Sequence, residues 1–115
     1  MAYNIVLPSG QQVVVFKTVA ALGVSPIVFC PGKRAGEPQT KVNFQIGSIV
    51  GVFVGLTFDI ESTPDNGVTW NKTGFTWDAV ANPSQNFDLI PSIPHRLNCT
   101  VFNAGTSADA IATRS

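Results

Sequence analysis

Residues 52–61 carry the clearest pattern in the chain: Val52, Val54, Leu56, Phe58 and Ile60 alternate with Phe53, Gly55, Thr57, Asp59 and Glu61. A repeat of two sustained over this length predicts a strand whose first set faces a core. Residues 96–103 repeat it, with Leu97, Cys99 and Val101 on one face and Arg96, Asn98, Thr100 and Phe102 on the other. A third, shorter case sets Val42, Phe44 and Ile46 against Asn43 and Gln45. Less regular segments rich in β-favouring residues lie at 3–7, 11–17, 27–30, 75–80, 86–90 and 108–113, so the chain reads as eight or nine short strands. Only residues 19–23 favour a helical turn, and a run of that length does not persist alone.

The breaks between these segments carry turn chemistry. Thr63-Pro64-Asp65-Asn66-Gly67 presets φ with proline, offers side-chain acceptors to its own backbone and ends on a glycine, which predicts a hairpin joining 52–61 to Val68-Thr69-Trp70. Pro8-Ser9-Gly10 divides the first twelve residues, which read as an N-terminal arm or as edge strands. Residues 31–40 hold Lys33, Arg34 and Glu37 among glycines and prolines without periodicity, and read as an exposed loop. The prolines of Pro91-Ser92-Ile93-Pro94 cannot donate to a ladder, so this stretch should cross between sheets or follow an edge. Many short strands with turn signals throughout predict an all-β fold: a single antiparallel β-sandwich domain over 1–115, jelly-roll-like, with a closed barrel as the second choice.

Composition sharpens this. Charged residues make up 12% of the 115 positions and cancel to zero net charge, against about 25% in ordinary soluble domains. The two sides are balanced and the longest basic run is Lys33-Arg34, so nothing here has the electrostatic footprint of a nucleic-acid or anionic-membrane partner. The first residues lack a basic n-region followed by an apolar stretch, and no apolar window reaches membrane-spanning length. A soluble product of a cytoplasm is the expectation.

Catalytic chemistry is sparse. His95 is the single imidazole; a nucleophile–base arrangement would have to be built around it, and a surface or strand-start role suits it better. Cys30 and Cys99 sit in apolar strand contexts, far apart in sequence, without ligand spacing for zinc; they read as reduced thiols acting as small hydrophobes, with a disulfide between neighbouring strands as the alternative. Asp59, Glu61 and Asp65 do not match an EF-hand loop, and the first two fit the solvated face of a strand. Asn71-Lys72-Thr73 and Asn98-Cys99-Thr100 match a glycosylation sequon but lack a secretory context. The expectation is a protein that is not an enzyme and takes no metal or cofactor.

The aromatics say more. Phe53 and Phe102 fall opposite the apolar stripes of their strands, and Trp70, Phe75 and Trp77 cluster after the Pro-Asp-Asn-Gly turn. Either these rings close the ends of a sandwich, or they form an exposed patch for another protein or for sugar rings.

Residues 59–70, 86–91 and 96–105 together resemble small β-sandwich structural proteins of tailed bacteriophages, in which a strand runs into a Pro-Asp-x-Gly-x-Thr-Trp hairpin and a later Arg-Leu-x-x-x-Val strand ends in a glycine turn. Within that group a free-standing sandwich of 12.2 kDa looks like a capsid decoration protein, also called a cement or staple protein. The resemblance implies a virion protein on the capsid surface that binds the major capsid protein, as a dimer or trimer, and bridges neighbouring subunits of the shell. The interface candidates are Phe53, Trp70, Phe75, Trp77 and Phe102, with Lys33 and Arg34 on a loop long enough to reach along the shell. Two alternatives stand beside it: a carbohydrate-binding module of a phage tail fibre, using Trp70 and Trp77 as stacking platforms for a glycan, and a small self-assembling coat or head-completion protein.

Overall fold

The computed structural model describes residues 3–32, 38–91, 93–103 and 105–114. Its strands are β1 (Tyr3–Val6), β2 (Gln12–Val19), β3 (Gly23–Val24), β4 (Ile27–Cys30), β5 (Thr40–Val50), β6 (Leu56–Ser62), β7 (Asn71–Asp78), β8 (Ser84–Leu89), β9 (His95–Phe102) and β10 (Ser107–Arg114). No helix occurs among the described residues; 20–22 pass directly from β2 to β3. The added strand is β3, too short to show a period of its own. It continues the line of β4 beside β9 and is separated from it at Ser25-Pro26, where Ser25 N donates to Leu97 O at 2.7 Å, the Ser25 hydroxyl accepts from Leu97 N at 3.1 Å, and the Pro26 nitrogen has no hydrogen to donate.

The pairing defines the topology. β2 pairs with β10, β4 with β9, β5 with β8 and β6 with β7, all antiparallel. That is one long hairpin of strands folded back at the β6–β7 turn. Rolling it lays β10 beside β5 and β9 beside β6, giving the sheets β2-β10-β5-β8 and β4-β9-β6-β7, with β1 added parallel to β4 at the edge. This is a jelly-roll sandwich. Because successive strands reverse direction, the connections at 20–22, 51–55 and 79–83 gather at one end with residues 103, 105 and 106, the upper end below. The described residues of the others, 7–11, 31–32, 38–39, 63–70, 90–91 and 93–94, lie at the lower end.

Between the sheets lies an aromatic core. Trp77 stacks on Phe58 at 5.1 Å and meets Phe44 from the opposite sheet at 5.7 Å; Phe44 also contacts Phe29 at 5.8 Å and Phe87 at 6.0 Å. Ala108, Ala110 and Ala112 of β10 are all buried. Small side chains on this central strand leave the volume that the rings of the facing sheet fill, which is how close packing is reached without voids. The transfer of each such ring from water contributes about 2–3 kcal/mol.

Two departures from regular alternation set which residues reach the core near the upper end. On β9, Cys99 pairs with Phe58 and Val101 with Thr57, so Thr100 is an extra residue, a β-bulge. Beyond it the faces exchange: Phe102 turns inward and Val101 is 47% exposed. In 51–55 the chain has left the ladder. Asn103 Oδ1 accepts from Val54 N at 2.9 Å and Gly55 N at 3.2 Å, and its Nδ2 donates to Val52 O at 3.2 Å. Gly51 has φ of 81° and a Cβ there would lie 2.8 Å from Gly105 O, so a side chain does not fit. Phe53 consequently packs inward while Val52 and Val54 point to solvent. The expectation of one strand over 52–61 holds only from Leu56 onward, where Leu56, Phe58 and Ile60 are fully buried.

Candidate interaction surfaces

The sequence-derived interface residues do not converge on one surface. Trp77 is fully buried and its Nε1 donates to Asn82 O at 2.7 Å, so as an exposed contact or a sugar platform it is corrected: it is the centre of the core. Phe53 and Phe102 meet edge to face at 6.1 Å and pack against the core from the upper end, so of their two readings they close the end of the sandwich and do not form an exposed patch. Phe75, 37% exposed, reaches from the edge of one sheet to Phe87 of the other at 5.4 Å and covers the gap between β7 and β8. Trp70 is half-buried on the outer face of the β4-β9-β6-β7 sheet. Lys33 and Arg34 lie outside the described residues.

What replaces the aromatics at the upper end is aliphatic. Ile49, Val50, Val52 and Val54 are 53%, 61%, 82% and 84% exposed, joined by Leu22, Val80 and Val101. Sequence adds a second property: the segments that meet here, Ala20-Ala21-Leu22, Gly51-Val52-Phe53-Val54-Gly55, Ala79-Val80-Ala81-Asn82-Pro83, and Asn103 with Gly105-Thr106, contain no charged residue. The nearest charges are spoken for. Asp78 accepts from Val80 N and Ala81 N at 3.1 and 3.2 Å, closing the turn after β7. Asp109, nearly buried, accepts from Thr18 N at 2.7 Å and faces Lys17 Nζ at 3.8 Å. Thr18 and Ser48, both at positive φ, lie at the register shifts of the strands flanking Asp109. Neutral loops set on a pinned backbone give an apolar, pre-ordered surface of the kind that marks protein contacts.

A different site lies on the outer face of the β4-β9-β6-β7 sheet, toward the lower end. A groove of about 660 Å³ runs between the β3–β4 segment and the β6–β7 connection, lined by Val24, Pro26, Val28, Asn66, Trp70 and Arg96, with Ser25, Thr63, Gly67 and Pro94. Its turn is built by Thr63, whose Oγ1 accepts from Asp65 N at 3.3 Å and Gly67 N at 2.8 Å, and by Asp65, whose Oδ1 accepts from Thr69 N at 2.7 Å. Those bonds hold the Asp65 carboxyl below its ordinary range, the Thr69 amide contributing most. Asn66 and Gly67 both have positive φ, 57° and 93°, which places Asn66 at the tip. Arg96 is fixed from two sides: Nε donates to Glu61 Oε1 at 2.7 Å, and the guanidinium carbon stands 4.2 Å from the Trp70 ring centre. Asn98 Nδ2 donates to the second Glu61 oxygen at 3.3 Å.

The remaining candidates are structural. His95 is a strand-start residue but not a surface one: it is 1% exposed, its Nδ1 lies 2.7 Å from Ile93 O, and its ring stacks on Phe29 at 6.1 Å. Burial holds its imidazole below the ordinary 6.5. Both cysteines are free thiols, and burial pushes each up from its ordinary value, away from a reactive thiolate. Asp59 pairs with Lys72 at 3.4 Å and Glu61 with Arg96, so the carboxylates are parcelled out rather than pooled. Among the described residues no group of three His, Cys, Asp or Glu side chains is placed to hold a metal ion. No protein family, curated protein or solved structure matches this chain.

Proposed function

We propose that this protein is a structural subunit of a phage virion that docks its upper end on the outside of a preformed capsid and bridges neighbouring capsid proteins. The observation that carries the reading is the aliphatic surface formed by Ile49 and Val50 at the end of β5 and by Val52 and Val54 in the uncharged connection after it, exposed by 53% to 84%. A monomer in water gains nothing from such an end; a subunit held in a permanent contact gains the burial of every one of those side chains. Resemblance of residues 59–70, 86–91 and 96–105 to phage sandwich proteins supplies the partner, the major capsid protein. A dimer or trimer would multiply the contacts, and many weak bridges failing only together would stiffen the shell.

The test mixes the purified protein at micromolar concentration with expanded capsids lacking it and measures co-sedimentation and resistance to heat. Binding by the native chain and its loss in a Val52→Asp, Val54→Asp double variant is the expected outcome. Absence of binding by the native chain, or undiminished binding by the variant, overturns the proposal.

A further inference from the structure

We infer that the groove beside Trp70 is a binding site for a neutral saccharide, separate from the capsid-docking end. Its volume of about 660 Å³ falls in the range of small-ligand sites, which combine apolar walls with a few converging polar groups. Here the apolar part is rigid: Val24, Pro26, Val28 and Pro94 around the half-buried ring of Trp70. The polar part is Arg96 and the Asn66 carboxamide. Arg96 spends Nε on Glu61 and one face of its guanidinium on Trp70; among the described residues no acceptor is bonded to its two Nη groups. They remain a planar pair of donors, held in place before any ligand arrives. Asn66, at the tip of the turn, adds a donor and an acceptor.

Charge decides the class of ligand. Glu61, 7% exposed, neutralises Arg96 at 2.7 Å, and the adjoining Asp59–Lys72 pair is neutral as well. An anionic ligand approaching the guanidinium meets a carboxylate already in bonding contact with it, so the groove lacks the net positive charge that phosphate or an acidic sugar needs. A neutral pyranose matches what is there. Its C–H face lies on apolar side chains and its hydroxyls, both donors and acceptors, meet the paired Nη groups and the carboxamide. Trp70 is thus retained from the two predicted platforms, and Arg96 with Asn66 takes the place of Trp77.

The test presents the native protein to a printed array of neutral, amino and acidic oligosaccharides beside a proline-rich peptide, then titrates the best neutral binder against tryptophan fluorescence. With Trp77 sealed in the core, Trp70 supplies the response to ligand. Expected is millimolar or tighter binding of a neutral oligosaccharide, weakened at least tenfold in Trp70→Ala. Asn66→Gly keeps the left-handed turn and removes only the carboxamide, and is expected to weaken binding several-fold with an unchanged melting temperature. No neutral binder at millimolar concentration, preference for acidic sugars or for the peptide, or full affinity in both variants overturns the inference. The capsid proposal fails or stands separately, because Val52→Asp with Val54→Asp leaves this groove untouched.

Discussion

The two ends of the sandwich solve opposite problems with similar means. At the lower end, the 63–70 connection is tied down by Thr63 and Asp65, whose side chains accept from Asp65 N, Gly67 N and Thr69 N, and it displays mostly polar side chains beside Val68, which is 84% exposed. At the upper end, 51–55 is equally tied down, by Asn103, but what it displays is Val52 and Val54. Side chains thus replace a ladder at both ends, a hydroxyl and a carboxylate below and an amide above, and the outward residues differ. Order in a loop and polarity of a loop are separate properties, and an ordered apolar loop is one shaped for contact.

That contrast can be broken in steps. The largest effect should come from beneath both ends: Trp77→Ala removes the ring joining Phe58 and Phe44 and is expected to cost about 4 kcal/mol, read as a lowered denaturant midpoint. Val52→Asp with Val54→Asp should abolish capsid binding, a loss of about 3 kcal/mol or more for anchors at the centre of a contact. Its melting temperature should stay within a few degrees of the native value, because exposed substitutions seldom change stability by more than about 0.5 kcal/mol each. Asn103→Ala should cost about 1–2 kcal/mol through the unmet Val52, Val54 and Gly55 backbone groups. Amide exchange at Val54 and Gly55 should quicken while that at Gly67 and Thr69 stays slow; equal quickening at both ends would show that they are not independent. The smallest effect concerns pH. His95 is held below 6.5 when folded, so the unfolded chain binds the proton first as pH falls. Its contribution is complete above 6.5 and declines below it, and His95→Gln should flatten stability between pH 6.5 and the range where carboxylates titrate.

Much of the architecture is legible in the sequence because the alternation in 42–46, 56–61 and 96–99 is regular and the glycines and prolines mark its ends. The upper corner is not, for a physical reason. Period-two counting assumes that every residue advances the strand by one pleat, and Thr100 does not: as a bulge it moves Val101 outward and Phe102 inward. The same exchange befalls 51–55, where Asn103 captures the backbone. The sequence reading therefore puts Val52, Val54 and Val101 inside, which the fold reverses, and leaves Phe53 and Phe102 open between closing the end of the sandwich and facing outward, of which the fold takes the first. At 51–55 a polar side chain many positions away decides the matter, and no local pattern records it. The groove at Trp70 is half legible: the aromatic residue after the turn stands out, whereas Arg96 is adjacent only through the register that sets it opposite Glu61.

The pairing of the last strand with the first turn has a practical side. Gly10 N donates to Arg114 O at 2.7 Å, and the Arg114 Nε donates to Leu7 O at 3.1 Å, so β10 finishes at the lower end. A peptide or enzyme fused after β10 would leave the molecule from the side opposite the aliphatic loops. Were the upper end seated on a capsid as proposed, such cargo would point into the medium, one copy for each bound subunit.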